Sequence, residues 1–172
     1  MKSIGFRQCL IILSFVAFLF SCKKEGSSQD NNYYLKFKID NNWVTWSNAL
    51  GDLSQEPGSN KSGLNVSAQS STQTEVFNIG IQVDGNLATG TYTPDHSFMA
   101  VSYTKRTGTS NFTSYTGGGI FSGPDTRYEI TITSITDKII KGNFKGSYLV
   151  NDADDTDTLA ITEGEFVVPR IR

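Results

Sequence analysis

Cysteine and histidine are almost missing from this 172-residue chain: Cys9, Cys22 and His96 are all there is. Both cysteines precede the part of the chain that reads as folded. A disulfide framework and a Cys/His metal motif are therefore excluded from that part, and its stability must come from its core. Charge is also sparse. Fifteen Lys and Arg stand against 17 Asp and Glu, a net charge of −2, with no basic footprint for nucleic acid. No apolar run approaches the ~20 residues of a membrane-spanning helix. Beyond residue 32 no segment keeps a helical 3.6-residue period over ten residues.

What the chain has instead is Ser, Thr, Asn, Gly and aromatic residues, among them 11 Phe, 7 Tyr and 16 Gly. Thr, Tyr, Phe and Ile suit a pleated, half-buried surface, and Gly and Asn suit tight turns. This composition predicts an all-β protein.

The first residues have a different character. Lys2 and Arg7 give a positive start, and Leu10 to Phe20 is apolar except for Ser14. A small residue, Ser21, then precedes Cys22. This has the build of a secretory signal. Leu19-Phe20-Ser21-Cys22 resembles the lipobox of bacterial lipoproteins, with a bulkier Phe20 than is usual at its position. The resemblance implies that residues 1–21 are a lipoprotein signal peptide and that Cys22 is the lipidation site, carrying acyl chains such as palmitate. Several chains on one residue would hold it firmly in a membrane. Lys2 and Arg7 would leave with the signal, so the remaining 151 residues would carry 13 basic and 17 acidic groups. They offer no basic patch for anionic lipid, which makes the lipid the expected membrane contact.

Residues 22–32 (CKKEGSSQDNN) contain nothing apolar after the cysteine and read as a flexible tether. At about 3.5 Å per residue it reaches at most roughly 35 Å. Residues 33–172 then form a single all-β domain, expected as an antiparallel β-sandwich or partly closed barrel of about nine strands.

Alternation locates the strands. Tyr33, Leu35, Phe37 and Ile39 share one face of the first. An Asn41-Asn42 turn would pair Asp40 with Trp43 and Phe37 with Trp46, placing Trp46 in the core and Trp43 outside. Residues 48–62 read as a loop. Strands follow around Leu64–Ala68, Phe77–Val83, Gly90–Tyr92 and Phe98–Thr104, the last burying Met99, Val101 and Tyr103. Residues 107–124 read as irregular. Three further strands close the domain. Tyr128, Ile130 and Ile132 face inward in the first, and Ile140, Phe144, Tyr148 and Val150 in the second. In the third, Leu159 and Ile161 are out of phase with Phe166 and Val168, which predicts a β-bulge at Gly164.

Phe37–Trp46 (FKIDNNWVTW), Gly142–Tyr148 (GNFKGSY) and Ala160–Val168 (AITEGEFVV) resemble the two ends of small lipoprotein domains of unknown function found in Bacteroidota. The resemblance covers about a quarter of the domain. It implies a β-sandwich on an outer-membrane lipoprotein, on either face of that membrane, and carries no activity with it.

Chemical candidates are few. Asp152, Asp154, Asp155 and Asp157 could supply hard oxygen ligands to Ca²⁺, but the glycine and distal glutamate of an EF-hand loop are missing, and a solvated acidic turn is the other reading. An outward Trp43 could stack on a sugar or a partner protein. His96 follows Pro94-Asp95 with no nucleophile motif beside it and reads as a surface residue. Gly117-Gly118-Gly119 lacks the Lys-Ser/Thr of a phosphate loop. Glu163 and Glu165 read as exposed charges flanking the bulge. No catalytic residue and no cofactor motif emerges. The expectation is a lipid-anchored, non-catalytic envelope lipoprotein whose β-domain binds a glycan or another envelope protein, or has a structural role. A small hydrolase or an immunity- or inhibitor-type lipoprotein are the alternatives.

Overall fold

The computed structural model describes residues 33–118 and 127–171. The expected signal peptide, Cys22, the expected tether, and residues 119–126 of the glycine-rich stretch lie outside the described residues. Within them the chain is all-β, with thirteen strands and no helix.

One half of the sheet runs β2 (Asn42–Trp46), β1 (Tyr34–Ile39), β13 (Ile161–Ile171), β10 (Ile139–Lys145), β9 (Glu129–Ile135) and β6 (Gly90–Tyr92). The other half runs β3 (Leu50–Gln55), β4 (Lys61–Gln69), β5 (Glu75–Asp84), β7 (Phe98–Arg106), β8 (Phe112–Gly117), β11 (Leu149–Asn151) and β12 (Asp154–Leu159). The long strand β13 joins them. Past its pairing with β1 it continues alongside β3, in parallel, at Arg170–Gly51 and Ile171–Asp52. Of the expected antiparallel sandwich or partly closed barrel, the sandwich is thus corrected: the strands form one continuous mixed sheet that curls on itself as a half-barrel.

Aromatic rings close the curl. Phe37 of β1 stacks on Phe77 of β5 at 4.8 Å, and Phe77 meets Phe144 of β10 at 5.6 Å, although β5 is hydrogen-bonded to neither strand. Trp46 packs edge-on to Phe37 at 5.0 Å and lies 6.4 Å from Tyr103 of β7. Each such pair adds about 0.5–1.5 kcal/mol to ordinary apolar burial. Around them Leu35, Val66, Ile79, Val101, Ile130 and Val168 are buried, each at an alternating position of its strand.

Four segments depart from the expected strands, which accounts for thirteen in place of nine. Strand β3 falls inside the expected loop 48–62. Its inward positions are Gly51 and the half-buried Leu53. The missing Cβ of Gly51 would lie 2.4 Å from the Val168 side chain, so the strand packs there by main chain, and a single inward Leu leaves no apolar alternation. Strand β8 falls inside the expected irregular stretch 107–124 and is built of Thr, Ser, Tyr and Gly. The expected strand through residues 140–150 breaks at Gly146, after which the phase changes: Leu149 is buried, while Tyr148 and Val150 are half-buried. The last expected strand is two, β12 and β13, separated at Ala160.

The irregularity expected at Gly164 lies just before it in the chain. Phe37 pairs with Gly164 but Ile39 pairs with Ile161, so β13 carries one extra residue in this interval. The first hairpin is shifted by one residue. Asp40 and Asn41, both at positive φ (47° and 67°), form the turn, and Trp43 pairs with Lys38 instead of Asp40. Asp and Asn tolerate this backbone region. Both turns contain two residues, so the faces are unchanged: Trp46 is 7% exposed and Trp43 51%.

Candidate functional site

Trp43 stands on the outer face of the β2-β1-β13-β10 block because it is three residues from the buried Trp46 on an alternating strand. Lys36 and Lys38 of β1 reach across to it. Their ammonium groups lie 4.7 and 5.7 Å from the indole centroid. These contacts are cation–π interactions, worth about 0.5–1 kcal/mol at an exposed site. They fix one side of the ring and leave half the residue open to solvent.

The next strand answers the lysines with acids. Lys38 bonds to Glu163 at 3.1 Å, and Lys36 pairs with Glu165 at 3.7 Å. These two pairings are in regular register, with Gly164 between the glutamates showing only main chain, and the extra residue of β13 lies just beyond them, between Glu163 and Ile161. The hydroxyl of Tyr34 is held above its ordinary pKa by burial and by the neighbouring Glu165. One strand further, Asn143 pairs with Glu165 and Lys145 with Glu163. Together Lys36, Trp43, Asn143, Lys145, Glu163 and Glu165 line an open groove of about 400 Å³. Sequence reading singled out Trp43 here, read Glu163 and Glu165 as exposed charges, and passed over Lys36, Asn143 and Lys145. Their common signal is that they occupy the polar positions of strands whose alternate residues are core.

Comparison of the chain with protein-family models, with curated proteins and with solved structures finds no match. The groove has to be understood from its own chemistry.

The acidic stretch lies elsewhere, and most of it is strand, not the expected loop. Only Asp152 and Ala153 form the turn, and Asp154 to Asp157 belong to β12. The carboxylates are engaged separately. Asp152 accepts from the Thr116 hydroxyl at 2.7 Å, and Asp157 from the Tyr115 hydroxyl and the Asn151 amide at 3.0 and 2.7 Å. Asp154 accepts from the Thr156 hydroxyl and backbone N–H, which hold its carboxyl below the usual carboxylate range. Among the described residues no three His, Cys, Asp or Glu side chains form a metal-holding group. β12 ends the hydrogen-bonded order of the sheet, and charge on an edge strand discourages pairing with another chain. We expect millimolar Ca²⁺ to leave the melting temperature unchanged in the wild type and in an Asp154→Asn, Asp155→Asn double variant. A bound ion at a hundredfold excess over Kd would add about 2.7 kcal/mol. A calcium-specific rise lost in the double variant would show a metal site here.

His96 is exposed and lines a second, smaller depression of about 250 Å³ with Lys61, Gln82, Asp84 and Phe98. Asp95 turns to Arg127 at 3.7 Å, so the two adjacent residues do not make a catalytic pair. Gly117 ends β8 and Gly118 takes a positive φ of 79°, while Gly119 lies outside the described residues.

Proposed function

We propose that the chain is a lipid-anchored lipoprotein of the bacterial cell envelope whose β-domain is a non-catalytic binding module, with the groove at Trp43 as its ligand site and an envelope glycan as its ligand. The observation that carries the binding reading is a half-exposed Trp held at the end of a groove lined by amide, ammonium and carboxylate groups. Sugars present an apolar C–H face and a rim of hydroxyls, and this pairing of ring and polar groups meets both. The lipobox and the short apolar run before Cys22 support the anchor. Cys22→Ala should move the domain from the membrane fraction to the soluble fraction. A variant that still pellets with membranes in high salt would place the anchor elsewhere. The binding reading is tested by glycan-array screening of wild type and Trp43→Ala, with Trp43-dependent capture expected.

A second reading has its own observation. Among the described residues β2 pairs only with β1, so its outer edge is available for an added strand from an envelope protein. In that case Thr45→Pro, on β2, would abolish partner capture while Trp43→Ala spared it.

A further inference from the structure

The charges on the groove face are ordered, and the order bears on the ligand. Along one row, Lys38 is bonded to Glu163, Glu163 pairs with Lys145, and Lys145 pairs with Glu129. Sign alternates at every strand. The neighbouring row runs Thr45, Lys36, Glu165, Asn143, Thr131 and Thr91 in continuous register across all six strands from β2 to β6. It begins with a charge pair and ends in uncharged groups, with the Thr91 and Thr131 hydroxyls 2.9 Å apart. Within these two rows each cation has an anion beside it, so the stretch they line projects little net field; Lys141, one row further along β10, pairs with Val167 and Ser134 and lies outside it. A polyanion would meet Glu163, Glu165 and Glu129, and a polycation would meet Lys36, Lys38 and Lys145. An uncharged polyol meets donors and acceptors without an unpaired charge.

Resting on the binding reading above, we propose that the ligand is a neutral oligosaccharide. It lies obliquely across the strands, with one ring stacked on Trp43, which stands beside Lys38 in the charged row and close to the Lys36 ammonium, and with the chain crossing to the neighbouring row over Asn143 and Thr131 toward Thr91. Neighbouring strands are ~4.8 Å apart, so each strand offers roughly one sugar residue a polar contact. The ladder then accommodates a chain of about six residues, one per strand.

The test is calorimetric titration of the purified domain with neutral oligosaccharides of increasing length and with uronic-acid and amino-sugar oligomers, each at low salt and at ~1 M NaCl. Affinity for a neutral series should rise with chain length up to about six residues and then level off, with no salt dependence. Trp43→Ala should weaken it about tenfold or more. Thr131→Val, isosteric and remote from Trp43, should weaken long chains and spare disaccharides. Salt-sensitive binding of charged oligomers only, lost in Trp43→Ala, would overturn the neutral ligand and leave the binding site standing. Neutral binding that does not grow beyond a disaccharide would overturn the path across the strands. Absence of Trp43-dependent binding to every oligosaccharide would overturn both this inference and the glycan reading beneath it.

Discussion

Trp46→Ala is expected to cost about 3–5 kcal/mol of folding stability, read as a lowered urea midpoint with little change in slope. The indole packs edge-on to Phe37 and beside Tyr103, joining β2 to rings on both sides of the curl. Nothing near it can collapse into the space, because Phe37 is already stacked on Phe77. Trp43→Ala removes the same side chain from the same short strand and should cost about 1 kcal/mol or less. It loses two exposed ammonium contacts and no buried surface of comparable size. The pair is an internal control, since both changes remove a β-favouring residue from β2. Equal losses would mean that Trp43 is covered.

The two tryptophans show how far the sequence could be read. Alternation in FKIDNNWVTW assigns faces without locating the turn, since a slide of the two-residue turn by one position moves the partners and preserves the sides. Trp43 was therefore legible as an outward ring, but its neighbours were not: the slide exchanges Asp40 for Lys38 beneath it. Strands were legible where inward positions are apolar, as in Phe77–Val83 and Phe98–Thr104. They were hidden where glycine or hydroxyl residues face inward, as at Gly51 in β3 and in β8, because backbone packed against a side chain leaves no hydrophobic period. The groove was illegible for another reason. Its residues come from β1, β2, β10 and β13, and only the pairing of β13 with both β1 and β10 places Lys36, Glu165 and Asn143 in one row.

The buried glycines of β10 and β13 should tolerate substitution poorly. Gly142 pairs with Phe166 and Gly164 with Phe144, and each ring folds over the glycine opposite. A Cβ at Gly142 would stand 2.4 Å from the Phe166 ring and 2.6 Å from the Thr131 carbonyl oxygen. At Gly164 it would stand 2.4 Å from the Phe144 ring and 2.6 Å from the Lys36 carbonyl oxygen. Alanine gains about 0.4–1 kcal/mol by restricting the unfolded chain. Overpacking costs about 1–3 kcal/mol or more, and it wins here because the carbonyl oxygens belong to paired strands that cannot retreat. Gly164→Ala and Gly142→Ala should each cost about 3 kcal/mol, measured by urea unfolding. Gly146 isolates the ring contribution. The three nearest atoms to its missing Cβ all belong to the Tyr128 ring, at 2.1–2.5 Å. Shrinking that ring should relieve the clash, so Gly146→Ala with Tyr128→Leu should be less destabilising than the two single losses summed, by about 1 kcal/mol or more. Gly164→Ala with Phe144→Leu should recover less, because the Lys36 carbonyl remains. Equal recovery in both pairs would show that the Lys36 carbonyl gives way at Gly164, and the close approach of paired backbone would then not be what forbids a side chain there.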